Sequence, residues 1–385
     1  MRARSLAPFG TTIFSEMTEM AATHSAINLS QGFPDFDGPV EIVEAAYAAM
    51  RARENQYARS QGHPDLTRAI SAQRQRDQGI DYDPTSEVIV FAGATEGIAA
   101  SLLGLLNPGD EVILFEPFYD SYPALVARAD AIPRFATLRY PEFRIEEATL
   151  RPLFNPRTRV LILNSPHNPT GRVFDAEELA IVARLCQEFD TTVIADEVYE
   201  HLTYDGLTHR SIATLPGMRE RTLALSSAGK TFSFTGWKIG WGTGPEQIVR
   251  AAQAAHQFLT FAVARPLQVG IAHGLQSLGI DYFEQYRRDY TARRDCLTAA
   301  LSDFGLHVVP PQGTYFVVAD FSALSDLDDR AYVRHLVAEK GVAAIPLSPF
   351  YSSMPASGRQ LVRFAFCKHL ATLRKAGARL NRPGP

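Results

Sequence analysis

Three short runs in this chain carry residue types that could do chemistry together. Asn164-Ser165-Pro166-His167-Asn168-Pro169-Thr170-Gly171 contains an amide, Asn168. Ala195-Asp196-Glu197-Val198-Tyr199 holds a carboxylate with a phenol three residues on. Ser226-Ser227-Ala228-Gly229-Lys230-Thr231-Phe232-Ser233-Phe234-Thr235-Gly236-Trp237-Lys238 holds two lysines and no acid. Each run follows a short apolar segment. Lys230, desolvated and near another cation, would have a lowered pKa and become a usable nucleophile. The chemistry open to it is imine formation with a carbonyl compound.

That order of groups is what holding pyridoxal 5'-phosphate as a Schiff base requires. Lys230 would form the imine, Asp196 would protonate the pyridine ring, and Asn168 and Tyr199 would hold the ring hydroxyl. Gly93-Ala94-Thr95, opening a helix after a strand, suits a dianionic phosphate through its unpaired N–H groups. Ser227 and Lys238 would complete the phosphate site, and Tyr119 could stack on the ring face. Taken singly these residues have ordinary readings: a strand–helix turn, a turn-forming Asn, an N-cap Asp, packed tyrosines, a solvated lysine. Arg363, a cation inside the apolar run 361–366, is either half of a structural salt bridge or a bidentate grip on an α-carboxylate.

The elements that must position these residues are legible in outline. Apolar runs at 88–91, 112–115, 160–163, 193–195, 223–225 and 239–241 read as strands, with helices at 95–106 and 175–189 between them. Continuous apolar strands joined by helices indicate a mostly parallel sheet covered on both faces, an α/β fold. Ligands of such sheets sit at the carboxyl ends of the strands, where the candidate residues lie. After Pro266 the pattern changes to a long helix, 281–304, and shorter strands at 315–319, 342–345 and 361–366. We expect a large α/β domain over 40–275. A smaller α+β domain is expected from 1–39 plus 276–385.

Composition narrows the function classes. Of the 385 residues 46% are hydrophobic and 21% charged, and the net charge of -4 gives no reason to expect a nucleic-acid or membrane partner. Three dispersed cysteines, Cys186, Cys296 and Cys367, show neither metal-ligand spacing nor a disulfide framework. The opening residues lack the apolar stretch of a signal peptide, and no apolar run reaches the roughly 18–20 residues of a membrane helix. A cytoplasmic protein is expected.

The motifs stand in the order found in the class I/II aminotransferases of PLP fold type I, and nearly the whole chain resembles them. Within that family Asn28-Leu29-Ser30-Gln31-Gly32-Phe33-Pro34-Asp35-Phe36, Asn55-Gln56-Tyr57, the Lys230 run and Gly341-Val342-Ala343-Ala344-Ile345-Pro346-Leu347-Ser348 are similar to the kynurenine/glutamine transaminases and bacterial methionine aminotransferases. Gly10-Thr11-Thr12-Ile13-Phe14 and Leu259-Thr260-Phe261-Ala262-Val263 lean to the methionine side. The resemblance implies a mostly parallel seven-stranded central sheet and a homodimer with shared sites. Tyr57 would reach the phosphate in the other subunit. Gly32 would offer its N–H to the substrate carboxylate beside Asn168 and Arg363. Phe14 and the other subunit's Phe261 would line the side-chain pocket. Two departures from the aspartate-type enzymes, Lys238 for an arginine and Gly229 for a serine, argue against a dicarboxylate specialist.

The expected reaction moves an amino group from an L-amino acid to a 2-oxo acid by a ping-pong mechanism. Phe14, Tyr119, Phe261 and Tyr315 read as an apolar pocket, so methionine, aromatic amino acids, kynurenine or glutamine are the favoured donors. Arg265 is the nearest candidate for a second cation. A cysteine-conjugate β-lyase or a specialised biosynthetic enzyme would use the same residues. A PLP-sensing regulator would need a DNA-binding module, and a nicotinamide dehydrogenase a GxGxxG after the first strand; neither is seen.

Overall fold

The structure is a computed structural model that describes residues 3–382. Seven strands form the central sheet: β1 (Val88–Phe91), β2 (Glu111–Glu116), β3 (Ile132–Thr137), β4 (Thr158–Asn164), β5 (Thr192–Asp196), β6 (Thr222–Ser227) and β7 (Gly240–Thr243). Their order across the sheet is β1-β7-β6-β5-β4-β2-β3. Only β7 runs antiparallel to its neighbours. β1, β2, β4, β5 and β6 are almost wholly buried on both faces, which is why their sequences are apolar throughout rather than alternating.

The register brings the functional ends level. Asn164 lies opposite Asp196, and Asp196 opposite Leu225. Every parallel strand therefore delivers the residue after its last rung to one edge of the sheet. Helix Ala94–Leu105 starts from Gly93, immediately after β1. Helix Ala176–Glu188 is capped by Asp175, whose side chain accepts from Glu178 N–H while Glu178 answers in a capping box.

β3 was not legible in the sequence. Its residues Ile-Pro-Arg-Phe-Ala-Thr lack an apolar run, and a proline inside a strand is tolerated only at an edge. β3 is that edge. Arg134 forks onto the buried Glu111 of β2 at 2.8 and 2.7 Å, a pairing across strands that no local pattern announces. The run 342–345 also divides differently from expectation. Val342–Ala343 pairs with Ile27–Asn28, whereas Ile345–Pro346 joins a second, antiparallel sheet with Leu361–Ala365, Phe316–Asp320 and His307–Val308.

This second sheet and the 24-residue helix Ile280–Asp303 pack together with the start of the chain. Ala365 N–H donates to Leu29 C=O at 2.8 Å, which carries the segment around Gly32 to the edge of the central sheet. The three cysteines are unpaired. No helix among the described residues is long and apolar enough to cross a membrane.

Candidate active site

A cavity of about 300 Å³ opens at the carboxyl edge of the central sheet. The end of β1 contributes Gly93, Ala94 and Thr95, the end of β2 Tyr119, and the turn after β4 Asn168. The end of β5 contributes Asp196 and Tyr199, and the end of β6 Ser227, Lys230 and Lys238. Phe14 and Gly32 enter from the N-terminal segment and Arg363 from the second sheet. Residues spread over most of the chain thus meet in one hollow.

Lys230 sits in a one-turn helix directly after β6. Its Nζ donates to the Tyr315 hydroxyl and, at 3.5 Å, to the Gly32 carbonyl. Its own carbonyl accepts from Tyr286 Oη at 2.6 Å. Burial lowers its pKa to about 8; Lys238 and Arg363 push the same way, Cys367 and Asp196 against. The neutral amine therefore becomes the majority form above about pH 8, not above the usual lysine range near 10.4. Capture of pyridoxal phosphate by cofactor-free protein should accelerate as pH rises to about 8 and level off beyond it. Stopped-flow growth of the visible absorbance band measures this; a rate still climbing at pH 10 would contradict it.

Asp196 closes β5 and is 5% exposed. Tyr122 Oη donates to it at 2.6 Å and Val198 N–H at 3.4 Å, but among the described residues no cation makes a salt bridge with it. Burial raises its pKa. Its neighbour Glu197 is treated differently: Arg74 compensates it at 3.1 Å, with His209 Nε2 3.5 Å away. A buried carboxylate left without a cation is costly, and a protonated ring nitrogen would supply what is missing. Sequence reasoning missed Tyr122. The signal available was its place three residues after Tyr119 in the same run.

The opposite end of the cavity suits an anion. Gly93, at φ +82°, caps the helix Ala94–Leu105, and a Cβ there would stand 3.0 Å from Lys238 Nζ. The lysine's ammonium thus lies against the helix N-terminus, where unpaired N–H groups converge. Ser227 is the residue before the Lys230 turn, and its side chain makes no capping bond there. Tyr119 stands edge-on to Tyr122, with ring centroids 5.6 Å apart. Tyr199 is buried and edge-on to Tyr315 at 5.1 Å.

Arg363 is 1% exposed. It donates to Asn168 Oδ1 at 2.9 Å and Ser30 C=O at 3.1 Å, and its Nε has no partner. Its guanidinium lies 3.9 Å from the Phe316 ring centroid, with Phe14 and Phe350 farther out at 5.2 and 5.3 Å. Burial depresses its pKa to about 10. Among the described residues no carboxylate pairs with it, so a structural salt bridge is not what holds it. A Cβ on Gly32 would come within 2.5 Å of Phe316, so only glycine lets the chain pass this close.

Two expectations need correction. Tyr315 is not part of an apolar wall: it is 1% exposed and its hydroxyl bonds Lys230 and Gly32. Arg265 is no free second cation, because it pairs with Glu54 at 3.0 Å. Tyr57 and Phe261 do not line this cavity. They touch each other, centroids 5.2 Å apart, on the outer surface, where Tyr57 is 80% exposed.

The donor set fits pyridoxal 5'-phosphate: an amine of lowered pKa, a buried acid lacking a cation, and an anion cradle, all around one cavity. A mostly parallel seven-stranded sheet with these groups at its carboxyl edge defines a PLP fold-type-I architecture. The family model for aminotransferases of class I and II matches residues 24–379, and the chain belongs to that family. It is an aminotransferase. It is 44% identical to the probable N-succinyldiaminopimelate aminotransferase of Mycobacterium tuberculosis, over 99% of this chain and 98% of that one. The solved structure of the M. tuberculosis N-succinyldiaminopimelate aminotransferase matches with a TM-score of 0.96 over 99% of each chain, at 44% identity. The methionine aminotransferase of Escherichia coli is 40% identical over 98% of this chain and 97% of that one. The kynurenine–oxoglutarate transaminase of Dictyostelium discoideum is 39% identical over 96% and 93%.

Proposed function

We propose that this aminotransferase holds pyridoxal 5'-phosphate on Lys230 and takes its amino group from an L-amino acid with an uncharged side chain. Methionine, aromatic amino acids including kynurenine, and glutamine are the favoured donors, and a 2-oxo acid is the acceptor. The observation that carries this reading is Arg363: a buried guanidinium in no salt bridge among the described residues, walled by Phe14, Phe316 and Phe350. It grips the donor's α-carboxylate, with Asn168 and the Gly32 N–H beside it. Among the described residues no further arginine lines the cavity to receive a side-chain carboxylate.

When bound, the cofactor supplies an aldehyde for the amine and a ring that draws charge from Cα. Lys230 provides the amine for capture and then, released, carries a proton between Cα and the cofactor's C4′ as general base and acid. Asp196, held in place by Tyr122, would keep the ring nitrogen protonated. Asn168 and Tyr199 would bond the ring hydroxyl, and Tyr119 would cover the ring face. Gly93, Ala94, Thr95, Ser227 and Lys238 would hold the phosphate.

The active unit in this reading is a homodimer in the cytoplasm. Tyr57 of a second copy would reach the phosphate, and Phe261 of that copy would line the donor pocket. Their exposure on one chain, with that of Tyr47 and Phe258 nearby in sequence, supports it. Residues 1–39 and 276–385 would close as a unit over the substrate, which would exclude water from the reacting atoms.

One observation favours a second reading. The 44% identity to the M. tuberculosis enzyme points to a specialised biosynthetic donor bearing a remote succinyl carboxylate. The donor preference of the wild-type enzyme separates the readings, and Arg363→Lys tests the carboxylate grip common to both. Losing the bidentate grip should lower kcat/KM about 100-fold for methionine, mainly through KM, in line with the roughly 2–5 kcal/mol of a buried charge pair. Wild-type enzyme should turn over methionine or phenylalanine well and aspartate poorly. Preference for an N-succinylated diamino acid over both would establish the second reading, and an unchanged KM in Arg363→Lys would remove Arg363 from the carboxylate site.

A further inference from the structure

We propose that Tyr315 is a positioning residue for Lys230, holding the free amine so that its lone pair faces the reacting atoms. The inference rests on the reading of Lys230 as the amine that captures the cofactor and moves the proton. The direction of the hydrogen bonds follows from chemistry alone. A carbonyl oxygen only accepts, and Tyr315 Oη lies 2.6 Å from the Gly32 carbonyl. The single hydroxyl proton is committed there. Toward Lys230 the tyrosine oxygen can therefore only accept, and the amine donates to it. Its second donor contact is the same Gly32 carbonyl, at 3.5 Å. With its N–H groups anchored on this side, a neutral Lys230 keeps its lone pair for the open side, which is the cavity.

The anchor is rigid. The Tyr315 ring lies nearly parallel to Tyr290 at 6.1 Å and edge-on to Tyr199 at 5.1 Å. Gly32 packs close against it: a Cβ there would stand 2.8 Å from the Tyr315 ring. The Lys230 backbone is fixed separately by Tyr286, which like Tyr290 lies on the helix Ile280–Asp303. Lysine backbone and lysine amine are thus set by two different tyrosines. The other titratable groups bearing on the amine are Asp196, Tyr199, Lys238, Arg363 and Cys367; of these Tyr199 also bonds the Tyr315 hydroxyl and Arg363 feels its charge.

Tyr315→Phe keeps the ring packing and removes only the hydroxyl. In the loaded enzyme kcat with methionine should fall about 10- to 100-fold, the scale of a misplaced catalytic group. KM should change little, and the isotope effect with α-deuterated methionine should increase. In cofactor-free protein the ammonium loses an acceptor. The pH at which Lys230 is half-acylated by acetic anhydride, read by peptide mass spectrometry, should drop by about one unit. Wild-type kcat would overturn the proposal. So would a loss of kcat with no shift in the acylation midpoint, which marks a merely structural role. Failure of the underlying reading shows separately, as turnover retained in Lys230→Ala.

Discussion

Lys230→Ala is expected to lose turnover by at least about 10⁴-fold while the protein still folds and still takes up pyridoxal phosphate. The size follows from two roles ending at once. Proton transfer by a placed general base alone is worth about 10²–10⁴-fold, and the amine that captures the cofactor goes with it. The fold should tolerate the change, because the side chain faces a cavity and its loss leaves no large void in the packed core. Tyr315 keeps its bond to the Gly32 carbonyl. Uptake should persist because the phosphate end, built from Gly93–Thr95, Ser227 and Lys238, is untouched. Steady-state turnover with methionine and a 2-oxo acid, beside equilibrium dialysis of the cofactor, measures both halves. Turnover near wild type would refute the assignment of Lys230.

Asp196→Asn should cost about 10²–10³-fold in kcat, the range found when one preorganised electrostatic group is removed, with far less effect on donor KM. The amide can still accept from Tyr122 Oη, but it carries no charge to hold a proton on the ring nitrogen. Stability should move the other way. Burial raises the pKa of this carboxyl above its ordinary value. Its contribution is then most favourable below the usual carboxylate range and is lost as pH rises through the raised value. At neutral pH the cofactor-free protein bears that cost, and Asn relieves it. Thermal unfolding of cofactor-free protein at neutral pH should therefore show Asp196→Asn at least as stable as wild type, together with impaired kcat. A variant with unchanged kcat would remove the electronic role. A strongly destabilised one would mean that Asp196 is chiefly structural.

How much of this was readable in the sequence depended on distance along the chain. β1, β2, β4, β5 and β6 announce themselves because both faces are buried, and the residues that follow them are placed by that fact alone. β3 does not, because an edge strand can carry Pro133 and can satisfy Arg134 through Glu111 on its neighbour. Lys230 and Asp196 were legible as types in position. Their partners were not: Tyr122 reaches Asp196 across 74 residues, and Tyr315 reaches Gly32 across 283. A tyrosine in an apolar stretch reads as packing until its hydroxyl's partner is seen. Arg363 is open in the sequence between salt bridge and ligand grip; the fold shows no salt bridge to it among the described residues, and the grip is the proposed reading. Tyr57 and Phe261 remain surface residues on a single chain, so their part in a site belongs to the proposed dimer.

The most direct measurement is a half-reaction without acceptor. Enzyme loaded with pyridoxal phosphate is mixed with excess methionine alone, and the visible absorbance and the released acids are followed. We expect the visible band to disappear with release of one 2-oxo acid per chain and no ammonia, and the band to return when a second 2-oxo acid is added. Continuous release of ammonia with the band intact would contradict amino-group transfer and indicate elimination chemistry on the same residues.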